Sequence, residues 1–303
     1  AIGGLTKFTE AESTSSPNAT VYVDSFTAAG STTNVDFACV PKGTGAFLLD
    51  IPDSASTGGN KRGANAADLQ TLRSAASQVA SGTASFLFGG YCTASGNYSA
   101  AGGFGSVASG IASAAFAGYE PSATGSYTVA MCGSRPVASG FSSCAFGEAS
   151  DTRNIQGAHA RSSGSRAASG DRQRLDVILA KTSTSATPVV LTQDAGTGTA
   201  LNTLTLPNNS TMFFEIDVVA HDTALKSATW KIQGTIRRGA NAAATAIVGT
   251  NVTTAFGSDL VGAPTTAPTV TANTTLGAIE VTFTGIAATT IYTNAYVRTQ
   301  IAA

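Results

Sequence analysis

The chain has 303 residues, a formal net charge of −1 and 12% charged residues, against roughly 25% in ordinary globular domains. That balance leaves no basic footprint for nucleic acid or an anionic membrane surface. No apolar run reaches the ~18–20 residues of a membrane-spanning helix. With 43% hydrophobic residues, and solubility resting on Ser, Thr, Asn and Gly, the composition predicts ordered β structure. The length allows two or three domains.

Residues 1–60 begin polar, with Ser- and Thr-rich spacers at 13–20 and 27–34. Residues 20–26 and 34–40 alternate at period two and read as extended segments. Neither can build a core alone, so 1–60 reads as an arm that docks on something else, or as strands shared within an oligomer. The first residues, Ala-Ile-Gly-Gly-Leu-Thr-Lys-Phe, carry no basic head followed by an apolar core, so no signal peptide is expected.

Residues 61–170 carry an internal repeat. Ala80-Ser81-Gly82, Ala94-Ser95-Gly96, Ala108-Ser109-Gly110, Ala123-Thr124-Gly125 and Ala138-Ser139-Gly140 are spaced by 14 and then 15 residues. The third residue after each Gly is a hydroxyl: Ser85, Ser99, Ser113, Thr128, Ser143. The sixth is Phe88, Gly102, Phe116, Met131 or Phe146, and a second Gly follows at 89, 103, 118, 133 and 147. The two long phrases insert one residue before that second Gly. A fixed period with fixed positional chemistry predicts stacked coils, each with two short strands and two turns, the glycines supplying positive φ. The fourth and sixth positions point one way and the third the other. Such a coil is expected to enclose almost no core. Its Ser/Thr column would hydrogen-bond along the stack, and its apolar face would be buried between chains, most simply in a homotrimer. A degenerate first coil is expected with Asp68 at the Gly position, and an irregular, bulging segment over 155–166. Continuing the count places His159 in the fourth, inward column, where three copies could meet on a trimer axis and hold an anion or a metal.

Residues 171–303 change character. Candidate strands are 174–180, 188–192, 201–206, 212–219, 228–236, 278–283 and 290–297, separated by turn chemistry. This pattern predicts an antiparallel, jelly-roll-like sandwich with Trp230, Ile232 and Ile236 on one apolar face. Loops on a rigid sandwich carry recognition, which points to 194–199, 207–211 and 257–266 as places for binding, without naming a residue.

Catalytic and metal chemistry is thin. Cys39, Cys92, Cys132 and Cys144 form no CxxC pair and are expected to be free, buried thiols, in keeping with a reducing compartment. His221-Asp222, beside Lys226, reads as a turn, not a triad. No carboxylate pair suits a glycosidase, and no phosphate loop is present. No enzyme activity, cofactor, metal or catalytic residue is therefore expected. Lys61-Arg-Gly-Ala-Asn-Ala66 and Arg237-Arg-Gly-Ala-Asn-Ala242 are near-copies, five residues of six being identical. Either the abundance of Ala and Gly makes this a coincidence, or both are basic turns at similar intermolecular joints.

The phrase Ala-Ser-Gly-x-x-Ser-x-Ala-x-Gly, as in 138–147, resembles the head repeat of YadA-type trimeric adhesins. Residues 34–45 (Asn-Val-Asp-Phe-Ala-Cys-Val-Pro-Lys-Gly-Thr-Gly) and 59–70 (Gly-Asn-Lys-Arg-Gly-Ala-Asn-Ala-Ala-Asp-Leu-Gln) resemble segments of bacteriophage tail-fibre-like structural proteins. The resemblance implies an all-β homotrimer in which a left-handed parallel β-roll is followed by the sandwich. Its parts would be an attachment arm (1–60), a roll (61–170) and a C-terminal sandwich (171–303). It implies a non-enzymatic tail fibre, assembled in the host cytoplasm and carried on the virion. The arm would bind other virion proteins, and the fibre a host-cell glycan or protein. A capsid-decorating head fibre, a cell-surface trimeric adhesin and a glycan-degrading tailspike are the alternatives.

Overall fold

The computed structural model describes residues 8–13, 23–28, 34, 38–260 and 266–303. The chain divides into two compact units, Ala1–Gly43 and Thr44–Ala303. In the first, β1 (Phe8–Ser13) and β2 (Val23–Ala28) pair antiparallel. Residues 20–22 and 35–37 of the two expected extended segments lie outside the described residues.

In the second unit parallel pairing begins at β3 (Phe47–Leu48), followed by β4 (Ala67–Leu72). Each later coil then contributes a long and a short strand. These are β5 (Phe86–Gly90) and β6 (Thr93–Ala94), β7 (Ala100–Phe104) and β8 (Val107–Ala108), β9 (Ala114–Tyr119) and β10 (Ser122–Ala123), and β11 (Val129–Ser134) and β12 (Val137–Ala138). Two further long strands, β13 (Cys144–Glu148) and β14 (His159–Ser163), complete the stack. Long strands pair in parallel with long and short with short, one phrase apart, as in Val129 opposite Cys144 and Ala123 opposite Ala138. The repeat is a parallel β-solenoid.

The two glycine columns have different causes. A Cβ on Gly82, Gly96, Gly110 or Gly140 would lie 1.8–2.0 Å from the carbonyl oxygen of the next coil, so the first Gly is dictated by close backbone approach. Positive φ in that turn falls instead on Ala84, Tyr98, Ala112, Tyr127 and Ser142. Positive φ in the second column occurs at Gly89, Gly103, Gly133 and Gly147. The inserted residues of the long phrases, Ala117 and Cys132, take φ of 55° and 59° and bow outward as a bulge, leaving the register of the flanking strands intact.

The interior differs from the expectation. The fifth position after each Gly points inward: Leu87, Ala101, Ala115, Ala130 and Ala145 meet Ala80, Ala94, Ala108, Ala123 and Ala138, all fully buried. The solenoid therefore has its own core, narrow because alanine is small. The hydroxyl column is also inside, and apart from Ser143, whose Oγ also lies 3.1 Å from Thr152 Oγ1, it does not bond along the stack. Each Oγ donates to the carbonyl of the Gly three residues back, at 2.6–2.8 Å from Ser85, Ser99, Ser113, Thr128 and Ser143. This closes the turn within its own coil. The fourth and sixth positions share one face, and that face looks outward.

Both ends of the short-strand sheet are closed by a buried glutamine whose amide substitutes for the missing strand. Gln70 Oε1 accepts from Cys92 N (2.7 Å) and its Nε2 donates to Gln78 O (2.8 Å). At the other end Gln173 Oε1 accepts from Asp151 N and its Nε2 donates to Asp151 O, both at 2.8 Å. An unpaired strand edge needs such a cover. The first coil is enlarged: Gly63 stacks under Gly82, 2.2 Å from its carbonyl if given a Cβ, and Asp68 faces Leu87 in the inward column. Asp68 is not at the Gly position. It is fully buried, holding Arg62 Nε at 2.7 Å and Arg73 Nη2 at 3.4 Å, while Arg73 Nη1 reaches Asp50 at 2.7 Å. At the far end the expected irregularity is absent over β14, which stays in register with Cys144 opposite His159.

β14 then pairs antiparallel with β15 (Arg172–Ser183), so the long-strand sheet runs on into the C-terminal part. There follow β16 (Pro188–Val190), β17 (Leu204–Thr205), β18 (Ser210–Asp222), β19 (Ser227–Arg238), β20 (Thr245–Ser258), β21 (Thr269–Asn273), β22 (Ala278–Thr284) and β23 (Ile291–Ala302). One layer has the order β20-β19-β18-β23-β15; in the other, β16, β17 and β21 all pair with β22. The two antiparallel layers bury Leu175, Phe214, Ile216, Trp230, Val281, Phe283 and Val297 between them. The seven expected strands all form. β20 and β21 were not foreseen, because β20 is an edge strand whose Val248, Val252 and Phe256 are exposed, leaving no buried alternation to read.

Candidate interaction surface

The outward fourth and sixth columns build a continuous wall on the long-strand sheet. Phe86 and Phe88 are each 39% exposed, and Phe116, Met131 and Phe146 are half-buried. Phe88 stacks on Phe116 with centroids 5.9 Å apart at 19°. The coil between them carries Gly102, where a Cβ would sit 2.2 Å from Phe88 Cζ. That Gly, the exception in the sixth column, is what lets the two rings meet across an intervening strand. A second row joins Tyr91, Phe104 and Tyr119, the last two stacked at 5.2 Å and 11°. On the turn edge Tyr98, Ile111, Tyr127 and Phe141 are exposed, Tyr127 and Phe141 packing edge to face at 5.3 Å. Scattered apolar residues on a surface are ordinary, but a contiguous aromatic wall marks a contact face.

On the C-terminal part the same sheet mixes exposed apolar side chains, such as Ile178, Phe213 and Val219, with a charged network. Lys231 Nζ lies 3.4 Å from Glu215, Arg298 pairs with both Glu215 and Asp217, and Gln233 Nε2 donates to Glu215 at 2.7 Å. The Gln233 hydrogen bond, joined by Lys231 and Arg298, holds the Glu215 carboxyl below its ordinary value against the opposing effect of burial. Neighbouring strands satisfy one another there, as cross-strand ion pairs do.

No protein-family model matches the chain. No curated protein matches it either. Among solved structures it is similar to a tailspike protein, gp49 of Acinetobacter baumannii bacteriophage Fri1, described as a capsular polysaccharide depolymerase. The identity is 11%, over 84% of this chain and 44% of that one, with a TM-score of 0.23. The chain thus spans less than half the length of that protein, and a similarity so low carries no functional weight.

The residues singled out in the sequence are dispersed. His159 keeps the fourth-column register but lies exposed on the outer wall, opposite Asp176, not inside. Among the described residues no group of three His, Cys, Asp or Glu side chains is placed to hold a metal ion. All four cysteines are free, but only Cys92 is buried; Cys39 and Cys132 are exposed and Cys144 is half-buried. Burial pushes the Cys144 thiol pKa up. His221 Nδ1 faces the backbone oxygen of Asp222 at 2.9 Å, and the Asp222 carboxylate accepts from Ala224 N and Lys226 N. That is a turn.

Of the three loops, 194–199 is tied down by Asp194, which accepts from Gly196 N (2.9 Å) and Asn202 Nδ2 (2.7 Å). Residues 261–265 of the third lie outside the described residues. Pro207, Asn208 and Asn209 border a cavity of about 540 Å³ at the junction of solenoid and sandwich. The basic near-copies are conformationally unrelated: Asn65 has φ 56°, whereas Asn241 is extended and caps a short 3₁₀ turn (Ala242–Ala244). Sequence reasoning missed Asp68 as the centre of a buried charge cluster. The only signal was a carboxylate placed among the apolar positions of a repeat.

Proposed function

We propose that this chain is a fibre-type structural and adhesion protein of the phage-virion kind that its repeat and residues 34–45 and 59–70 resemble. In this reading it self-associates as a homotrimer through the outer wall of the solenoid, attaches to the particle through residues 1–60, and presents the C-terminal layers to a host surface. The observation that carries the reading is the aromatic wall over Phe86, Phe88, Phe116, Met131 and Phe146, in register over five coils and uncovered in one chain. Covering a repeated apolar stripe with identical copies gives a closed, symmetric assembly. The role is scaffolding and binding, with no bond cleaved.

Light scattering on the intact chain tests the assembly. The expected mass is three times the 30.2 kDa of one chain. Phe88→Ser with Phe116→Ser should lower it to a single chain while the far-ultraviolet dichroism of β structure is kept. A wild-type chain that stays monomeric at micromolar concentration overturns the trimer. Release of reducing ends from host polysaccharide by the trimer would replace the non-enzymatic reading with that of a depolymerase.

A further inference from the structure

The last coil of the solenoid breaks the phrase at one position. After the inward residue of each coil comes Ser81, Ser95, Ser109, Thr124 or Ser139. In the last coil Val137 bridges to Asp151, so Thr152 is the inward residue and Arg153 stands in the Ser/Thr column. Thr152 Oγ1 accepts from Ser139 N at 2.9 Å and ends the alanine column. Arg153 and the inserted Asn154 both adopt left-handed backbone, at φ 56° and 58°. Asn154 N is held by Ser139 Oγ at 2.8 Å. Arg153 thus stands on a fixed turn at the edge of the cavity of about 540 Å³, which Arg238, at the end of β19, also lines.

Among the described residues neither arginine has an ion-pair partner. The Arg153 side chain makes no hydrogen bond, and its Nε is buried without an acceptor. Arg238 donates Nη1 to Leu206 O at 2.9 Å, which fixes its direction, and its Nε is likewise buried and unpartnered. The nearby acids do not supply the missing acceptors. Asp171, which lines the cavity, accepts from Arg166 N, Ala167 N and Ala168 N at 2.6–3.0 Å. Asp151 accepts from Arg153 N at 2.7 Å, and burial raises its pKa. Burial, with the charge of Arg238, also pulls the Arg153 pKa down, against the opposing pull of Asp151. Two guanidinium groups thus border a single cavity, and among the described residues neither is ion-paired with the Asp171 carboxylate that also lines it or with Asp151. Buried charges are ordinarily paired, and guanidinium groups match carboxylates in plane and donor spacing.

We infer that this cavity binds an acidic saccharide unit, with Arg153 and Arg238 taking its carboxylate. The exposed amides of Asn208 and Asn209 would meet its hydroxyls, and Pro207 the apolar face of its ring. The size suits one or two sugar rings, within the ~300–1,000 Å³ of small-ligand sites. The inference deepens the host-surface binding proposed above and rests on it for the identity of the ligand as a saccharide; the anion site itself does not depend on that reading.

The test is a calorimetric titration of the intact protein with glucuronate, glucose and inorganic phosphate, for wild type, Arg153→Gln and Arg153→Lys. Because the Arg153 side chain donates no hydrogen bond, Arg153→Gln should fold as the wild type does, with an unliganded melting temperature equal to or above it. Glucuronate should bind wild type at least about tenfold more tightly than glucose, a preference lost in Arg153→Gln and partly retained in Arg153→Lys. Equal binding of glucuronate and glucose, or glucuronate binding unchanged in Arg153→Gln, overturns the proposal. Phosphate binding as tightly as glucuronate overturns the saccharide class and leaves a simple anion site. If glucuronate binds as expected while the trimer fails to bind host cells, the host-surface reading falls and the site stands.

Discussion

In the solenoid, Ala101, Ala115, Ala130 and Ala145 face Ala108, Ala123 and Ala138 across a core one methyl deep on each side. In the antiparallel layers Phe214, Trp230, Phe283 and Ile216 fill a core of large side chains. The first region brings backbone so close to backbone that glycine is compulsory at one point of every coil. The second keeps its sheets apart and tolerates substitution wherever volume is kept. The outer faces differ too. The solenoid lines its aromatic residues up in columns, whereas the sandwich sets the ion-paired Glu215, Asp217, Lys231 and Arg298 among exposed apolar residues such as Ile178, Phe213 and Val219. A narrow core cannot bury a phenylalanine, so the aromatic residues of the repeat go outside.

Four measurements can break or sharpen that contrast. The largest effect is expected from Gly110→Ala, whose Cβ would lie 1.8 Å from Gly125 O. Stacking should fail, with a loss above ~4 kcal/mol and loss of cooperative unfolding. Gly249→Ala, with φ 74° and nothing within 4 Å, should cost only about 1–2 kcal/mol. Similar losses at the two sites would show that close approach does not govern the solenoid. Next, Phe214→Ala should destabilise by about 3–5 kcal/mol, against about 1 kcal/mol for Ala115→Gly. Chemical denaturation followed by the fluorescence of Trp230 would report the difference, and equal costs would contradict the two kinds of core. Smaller is the effect of Gln173→Ala, which strips the amide from Asp151 and should cost about 1–3 kcal/mol. Hydrogen exchange should localise it to the last coil, and faster exchange spread over the whole chain would count against a capping role.

The smallest effect concerns the connection between the regions. Burial raises the Asp171 pKa, but the N–H groups of Ala167, Ala168 and Arg166 outweigh it, so its folded value lies below the ordinary 3.8. The unfolded state then binds the proton more readily. The stabilisation is complete above pH ~4 and is lost as the pH falls through the folded value. Asp171→Asn should flatten the decline in melting temperature between pH 4 and pH 2, and an unchanged decline would remove Asp171 from the acid response.

The repeat, its period and the position of every long strand from β5 to β13 were legible in the chain, whereas β14 fell where an irregular segment was expected. So were the long strands with buried alternation in residues 171–303, such as β15, β18 and β23, because a period of 14–15 residues and a period of two are local properties. The direction in which each column faces was not. Alternation says that Phe86 and Phe88 share a face, but which face is inside depends on how near the second sheet lies. That distance is decided by Ala94, Ala108 and Ala123 a turn away. His159 shows the same limit, with the right column and the opposite side. Asp68 and Gln173 could not be recognised either, since closing an open end depends on which backbone groups the fold leaves unpaired. Nor could the cavity, where Arg153 and Arg238 come together from residues 85 apart in the chain. Local periodicity determined the strands and their register. Tertiary packing alone decided inside from outside and which charges meet, because both depend on distances between segments that no local pattern encodes.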